Sequence, residues 1–281
     1  MGEHATGTAR FERVRVSRNT AGKDGGGVNL YRTHGVVRES NFTANTAVEY
    51  GGAVSQDCQG ENKKDFLVEN SNFASNEADA GGAVQFKQDA ATIRGCAFTG
   101  NTAKDTGAIS QAGRGGALFK GNGARLDLSG STFSANHAEE RGGAIYATGS
   151  SGNPTQGAYV EGCSFRENTA DGGAALASWL EAWLLNASSF VDNVDASDDE
   201  VLMRLQKGHM WVRKCAFTTT QKLAYFTTAG STLNVYCSPT LTDDLVNKCG
   251  SCDDATHHDA CGPIPADWAS QVEVSLQNEW S

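Results

Sequence analysis

The polar side chain that recurs most regularly in this chain is asparagine. Asn19, Asn45, Asn76, Asn101, Asn136, Asn168 and Asn193 fall 25 to 35 residues apart. From Asn45 onward each stands three residues after a phenylalanine: Phe42, Phe73, Phe98, Phe133, Phe165 and Phe190. A carboxamide donates two hydrogen bonds and accepts on its oxygen, so asparagines held at one turn of successive coils link into a ladder. The same row, facing solvent, would grip a polar ligand. Buried amides are ordinarily satisfied by protein neighbours, so the ladder is the expected outcome.

Eight cysteines offer the next chemistry. Cys237, Cys249, Cys252 and Cys261 cluster toward the C-terminus, with His257 and His258 among them. Such a set suits two disulfides, a zinc ion or free thiols; its spacing matches no closed zinc module, which favours the disulfides. Cys96, Cys163 and Cys215 share one repeat position, two coils apart with serines between. At roughly 9 to 10 Å they are too far apart to bridge and are expected as buried thiols. Cys58 lies in an insertion with no evident partner. The acidic run Asp192, Asp195, Asp198, Asp199 and Glu200 offers oxygens to calcium, but a solvated turn in place of Gly-Gly explains it more simply. His4, His34, His137 and His209 belong to no repeat column. No nucleophile elbow, phosphate loop, metalloprotease motif or pair of glycosidase carboxylates stands out. The sequence therefore assigns no catalytic residue, no metal ligand and no cofactor.

The elements that position these groups follow from the repeat. Ser40-Asn41-Phe42 with Asn45 is followed by Gly51-Gly52-Ala53, and the phrase returns around Phe73, Phe98, Phe133 and Phe165 with Gly81-Gly82, Gly115-Gly116, Gly142-Gly143 and Gly172-Gly173. Degenerate copies hold Gly26-Gly27 at the start and Phe190 and Phe217 at the end. Five residues before the phenylalanine column stands a large apolar one: Phe11, Val37, Val68, Ile93, Leu128, Val160, Leu185 and Val212. Two residues before it come Val14, Ser40, Ser71, Cys96, Ser131, Cys163, Ser188 and Cys215. Offsets of five and two differ in parity, so one straight strand cannot turn both columns inward and a corner must separate them. Each coil then reads as a strand, a corner, a strand ending on phenylalanine, a turn at the asparagine, and a third strand after Gly-Gly.

A period in this range is that of a solenoid. The predicted fold is an all-β, right-handed parallel β-helix of about eight coils with three short strands per coil. It covers residues 1–236, with a cysteine-bearing cap or tail over 237–281. The core stack is Phe42, Phe73, Phe98, Phe133, Phe165, Phe190 and Phe217. The corner charges Arg38, Glu69, Arg94, Glu161 and Arg213 read as alternating surface ions, each weak. Loops Gln56 to Asp65 and Gly149 to Gly157 interrupt the repeat at one corner, and Lys104 to Arg114 at another. Inserted loops on a rigid scaffold carry binding, or they reflect inexpensive drift in length.

With 23 basic and 33 acidic residues the chain carries −10, which disfavours nucleic acid and anionic membrane as partners and mildly disfavours an acidic polysaccharide. No apolar run approaches the ~20 residues of a membrane-spanning helix. The N-terminal residues are polar and form no signal peptide. Only ten of them precede Phe11, so the N-terminal coil is expected to meet another protein chain, as in a fragment of something longer or an end-to-end filament.

Phe-x-x-Asn paired with Gly-Gly-Ala-Ile/Leu/Val resembles the repeats of the polymorphic outer membrane proteins, and more broadly the pectin-lyase-like right-handed β-helices, over residues 10 to 235. That resemblance implies an extracellular or cell-surface protein with an adhesive or structural role, meeting surface glycans or proteins through the inserted loops. A polysaccharide lyase or hydrolase on the same scaffold is the alternative. Ice binding, suggested by Thr20, Thr46, Thr102 and Thr169 in one turn column, is opposed by Glu77, His137 and Val194, which interrupt it.

Overall fold

The protein is seen in a computed structural model that describes residues 7–57, 65–87, 90–121, 124–149, 157–197, 201–206, 208–219, 221–226, 232–236 and 254–258. These residues form no helix, and every strand pairing is parallel, each strand with its copy one coil away. Four sheets, A to D in chain order around the coil, hold ten, eight, seven and eight strands. The second coil shows the plan: His34–Arg38 in sheet A, Asn41–Thr43 in B, Thr46–Ala47 in C and Val54–Asp57 in D. Seven coils carry all four strands, and an eighth runs through Gly208–Arg213, Ala216–Thr218 and Lys222–Phe226. Thr232–Tyr236 and Asp254–His258 continue sheet A. The two-residue strands of sheet C are the difference from the three strands expected per coil. They occupy what the sequence presents as a turn, because two residues after the buried asparagine extend far enough to pair with the next coil.

The corner between sheets A and B falls where parity requires it. Glu39, Asn70, Gly95, Gly130 and Gly162 have φ between 48° and 60°, a left-handed conformation that reverses the facing of the chain within one residue. Apolar registers then stack without slippage, Val68 with Ile93 and Leu128, Phe73 with Phe98 and Phe133. The seven phenylalanines form one continuous pile with ring centroids 4.7 to 5.1 Å apart and planes within 9° of parallel.

The serine and cysteine column closes the same corner. Ser71 Oγ donates to the Glu69 carbonyl and accepts from the Ser40 amide. Cys96, Cys163 and Cys215 replace serines here as free thiols, and burial pushes Cys96 and Cys215 up to about 11 and Cys163 to about 12. They are inert filling.

The asparagines run down the next corner. Asn101 Nδ2 donates to the Phe73 carbonyl and to Asn136 Oδ1, at 3.0 and 2.9 Å, while its own Oδ1 accepts from the Asn76 amide N–H and Nδ2. From Asn45 to Asn193 the side chains are buried; Asn19, in the first coil, is exposed and donates to Asn45. Asn101→Ala will strand the buried Asn76 amide and cost at least about 1 to 3 kcal/mol by urea unfolding. Asn19→Ala will cost much less, and equal losses at the two sites would contradict the ladder.

The glycine pairs let the coils close up. Gly81 has a φ of 63°, and a Cβ on Gly82 would sit 2.2 Å from the Gly116 carbonyl in the next coil. Strand register shifts two of the expected pairs by one residue. In the first coil Val28 pairs with Val54, which makes Gly25-Gly26 the equivalent of Gly51-Gly52. In the sixth, Ile145 pairs with Leu176, which sets Gly173-Ala174 beside Gly142-Gly143. Alanine is tolerated at 174 because the following coil has no Gly-Gly to stack on it. Its turn is organised by Asp195, whose carboxylate accepts from the amides of Gly173, Ser197 and Val201. That is a backbone role for the one described acid central to the run read as a calcium alternative; Asp198, Asp199 and Glu200 lie outside the described residues.

Inside the barrel one polar contact stands out. Lys120 takes the inward position held by Phe86 and Ala147 in the neighbouring coils, and its Nζ meets Glu181 Oε2 at 2.6 Å. Both side chains are essentially unexposed, 0 and 1%. Burial pushes the Glu181 carboxyl up to about 7, with Lys120 pulling the other way.

Candidate functional site

The repeat columns are consumed by the fold. The phenylalanines and the ladder asparagines from Asn45 onward all lie in the interior, leaving no row of amides for a ligand. The threonine column on sheet C is Thr46, Glu77, Thr102, His137, Thr169, Val194, with no flat array. The corner charges are spread along sheet A, and the best contact among them, Arg38 with Glu69 at 2.7 Å, is partly exposed and weak. Cys58, Cys237, Cys249, Cys252 and Cys261 lie outside the described residues, as does most of the two loops between sheets D and A. The strands flanking those loops, Val54–Asp57 to Phe66–Glu69 and Ile145–Thr148 to Ala158–Glu161, place both at one corner.

Side chains with chemistry gather instead on the outer face of sheet D. Strand alternation puts Val84, Leu118, Ile145 and Leu176 inward and Ser55, Gln85, Phe119, Tyr146 and Ala177 outward. These outward residues are nonetheless buried, at 0 or 1% exposure. The insertion after Thr102–Ala103 accounts for part of this cover: Ile109 packs on the cluster of Ala80, Phe119, Tyr146 and Ala177. The insertion is pinned by Thr106 Oγ1 to the Asp79 carboxylate at 2.7 and 2.8 Å and by Gln111 Oε1, which accepts from the Tyr50 hydroxyl at 3.0 Å.

Along the edge of this face the residue before each glycine pair forms a column of its own: Asp24, Tyr50, Ala80, Arg114, Arg141 and Gly172. In the first coils it is acidic and aromatic. Lys87 Nζ sits 3.5 Å from the centre of the Tyr50 ring, with Asp57 its register partner. Burial lowers the Lys87 pKa against the pull of Asp57, Asp24 and Glu49. Burial likewise raises Asp24 and Tyr50, reinforced by neighbouring carboxylates. A desolvated lysine among carboxylates, over a phenol, is the nearest approach to an acid–base centre among the described residues. In the later coils the column turns basic: the Arg114 guanidinium lies 5.3 Å from the Tyr146 ring centre, and its Nε meets Glu140 at 2.9 Å.

None of Asp24, Tyr50, Asp57, Lys87, Arg114, Arg141 and Tyr146 is assigned a role by the sequence reading above. Their signal was there in part, since Tyr50, Ala80, Arg114 and Arg141 each stand immediately before Gly-Gly, while Asp24 and Gly172 are displaced by one residue from the sequence pairs. Its residue types vary from coil to coil, which hides it. Among the described residues no cluster of three or more His, Cys, Asp or Glu is disposed to hold a metal, and no helix is long and apolar enough to cross a membrane.

The model for the Chlamydia polymorphic membrane protein repeat matches residues 130–148. That segment runs from the corner glycine Gly130 through Phe133, Asn136 and Gly142-Gly143 to the end of Ile145–Thr148, which is one turn of the solenoid less its sheet A strand. No curated protein and no solved structure gives a significant match. One coil of this parallel β-helix thus matches the polymorphic membrane protein repeat of Chlamydia, and the coils around it repeat the same buried columns.

Proposed function

We propose that the chain is a non-enzymatic β-helix of a cell surface or extracellular assembly, used for adhesion or as a structural element. The observation that carries this reading is the division of labour in the coil. Every recurrent side chain of the matched repeat is spent on stacking, while the outer face of sheet D varies from coil to coil and carries the inserted segment. That is the pattern of a rigid scaffold displaying a contact surface. Proposed partners are surface glycans or proteins at the sheet D face and loops. A further protein chain is proposed at the N-terminal coil, where Ala9, Phe11, Val16 and Val28 are only partly buried.

The environment of Lys87 favours one other reading, a polysaccharide lyase in which a lysine of lowered pKa removes a proton from a uronate. A turnover screen on polyuronates and neutral glycans, with and without calcium, separates the two. The adhesive reading expects binding to cells or extracted surface material and no turnover. Turnover that Lys87→Ala abolishes, in a variant that still melts like the parent, would replace it with the lyase.

A further inference from the structure

The first coil leaves four strands at the ends of their sheets: Thr8–Glu12, Arg15–Ser17, Thr20–Ala21 and Val28–Tyr31. In the second coil the Gly35 amide reaches forward to the Asp65 carbonyl, and Gly35 is the register partner of Ala9. The backbone groups of Ala9 therefore point into the solenoid. Those of Arg10, one residue on, point out of its open edge, since bonding directions alternate along a strand. Ala9 and Phe11 face inward yet are only partly buried, with no further coil over them among the described residues. An open edge of this kind is a template for a strand from elsewhere. The coil is also basic. Its residues 7–33 hold Arg10, Arg13, Arg15, Arg18, Lys23 and Arg32 against Glu12 and Asp24, in a chain whose net charge is −10.

The far end of the sequence has the matching chemistry. Residues 259–281, outside the described residues, contain Asp259, Asp267, Glu273 and Glu279 and no lysine or arginine. Within them Gln271 to Gln277 alternates polar and apolar, with Val272, Val274 and Leu276 two residues apart and Glu273 between, the pattern of a strand with one buried face. We propose that residues 271–277 of a second copy add as a strand to Thr8–Glu12 and extend sheet A across the junction. Val272, Val274 and Leu276 cover Ala9 and Phe11, the added backbone pairs with the outward groups of Arg10, and Glu273 joins the basic rim. Reach favours a second copy over the chain's own end. Sheet A holds ten strands and ends at Asp254–His258, so the place beyond Thr8–Glu12 lies ten spacings away, about 48 Å. The thirteen residue steps from His258 to Gln271 span at most about 43 to 47 Å fully extended. An interface between two different surfaces does not close on itself, so copies joined this way form open chains. This rests on the reading that the N-terminal coil meets another protein chain, and it names that chain.

The test is sedimentation velocity of the full chain over a range of concentration. Arg10→Pro removes the outward amide at an edge position, where proline is tolerated, and Arg10→Gln removes the charge alone. Val274→Pro interrupts the added strand. All three are compared after their melting is shown to match the parent; if Arg10→Pro melts lower, Val274→Pro and Arg10→Gln decide. The parent should assemble with rising concentration into species larger than a dimer, and each proline variant should stay monomeric. Arg10→Gln should weaken association about two- to fivefold. Mixing the two proline variants should give a 1:1 dimer and nothing larger, because one keeps the strand and the other keeps the edge. A parent that is monomeric at every concentration, or whose residues 271–277 cross-link to Thr8–Glu12 of the same chain, would overturn the proposal. Association lost in Arg10→Pro but kept in Val274→Pro would overturn it while the N-terminal reading stands. Association that ignores both variants would sink both.

Discussion

Phe133→Ala will lower the unfolding free energy by about 3 to 5 kcal/mol. The Phe133 ring lies between those of Phe98 and Phe165, with centroids 4.7 and 5.0 Å away, and the residue is wholly buried. Removing it opens a void that neither neighbour can fill, because each is held by its own stacking partner and by strands fixed in register. Coils contact only their neighbours, so a gap in mid-stack also weakens the coupling between the two halves of the solenoid. Phe217, the last ring and 5% exposed, should cost less. Urea unfolding of Phe133→Ala and Phe217→Ala checks the ordering; equal losses, or no loss at Phe133, would mean that the stack does not carry the fold.

The buried ion pair should produce an effect of similar size by a different route. Lys120→Met leaves the Glu181 carboxyl without its partner in the interior, where it must stay charged and unpaired or take up a proton, and at pH 8 should cost about 3 to 5 kcal/mol. Adding Glu181→Leu removes the unpartnered carboxyl and should restore most of that loss, since an apolar pair replaces a desolvated one at little net cost. The pH dependence has a definite sign. Burial raises the Glu181 carboxyl from its ordinary 4.5 to about 7 in the folded chain, so the folded state holds this proton more tightly than the unfolded one. Its contribution to stability is fully present below the unfolded value and is lost as pH rises through about 7. Glu181→Gln should flatten that part of the stability–pH curve. Unchanged curves, or a double variant no better than Lys120→Met, would show that the pair is not buried as described.

The parts of the fold that could be read from the sequence are those that register forces to repeat. Phe98 must lie on Phe73 and Phe133, so their types are locked and the column is visible at once. The A–B corner was legible for the same reason, from the clash of parities between Ile93 and Phe98. What stayed hidden was set by contacts with no period. Thr46–Ala47 is too short to show an alternation, yet it pairs. Lys120 breaks an inward column visibly, but its partner is Glu181, 61 residues away. The burial of Phe119 and Tyr146 on an outward face depends in part on where the insertion carrying Ile109 folds back. The residue before Gly-Gly is regular in position through the four middle coils and irregular in kind, because it meets the outside.

The fold requires coils stacked in one register with the repeat residues turned inward. Paired cysteines on the outer face of sheet B measure this most directly. Thr99 and Ser134 are register partners whose hydroxyls lie 3.1 Å apart, whereas Arg166 is the partner of Ser134 and stands one coil further on. Adjacent strands at ~4.8 Å permit a disulfide, and strands two coils apart do not. Under mild oxidation Thr99→Cys/Ser134→Cys should form the bond nearly completely, mapped by peptide mass, and Thr99→Cys/Arg166→Cys should form none. Bridging of the second pair and not the first would contradict the register, and with it the placement of every residue assigned to the sheet D face.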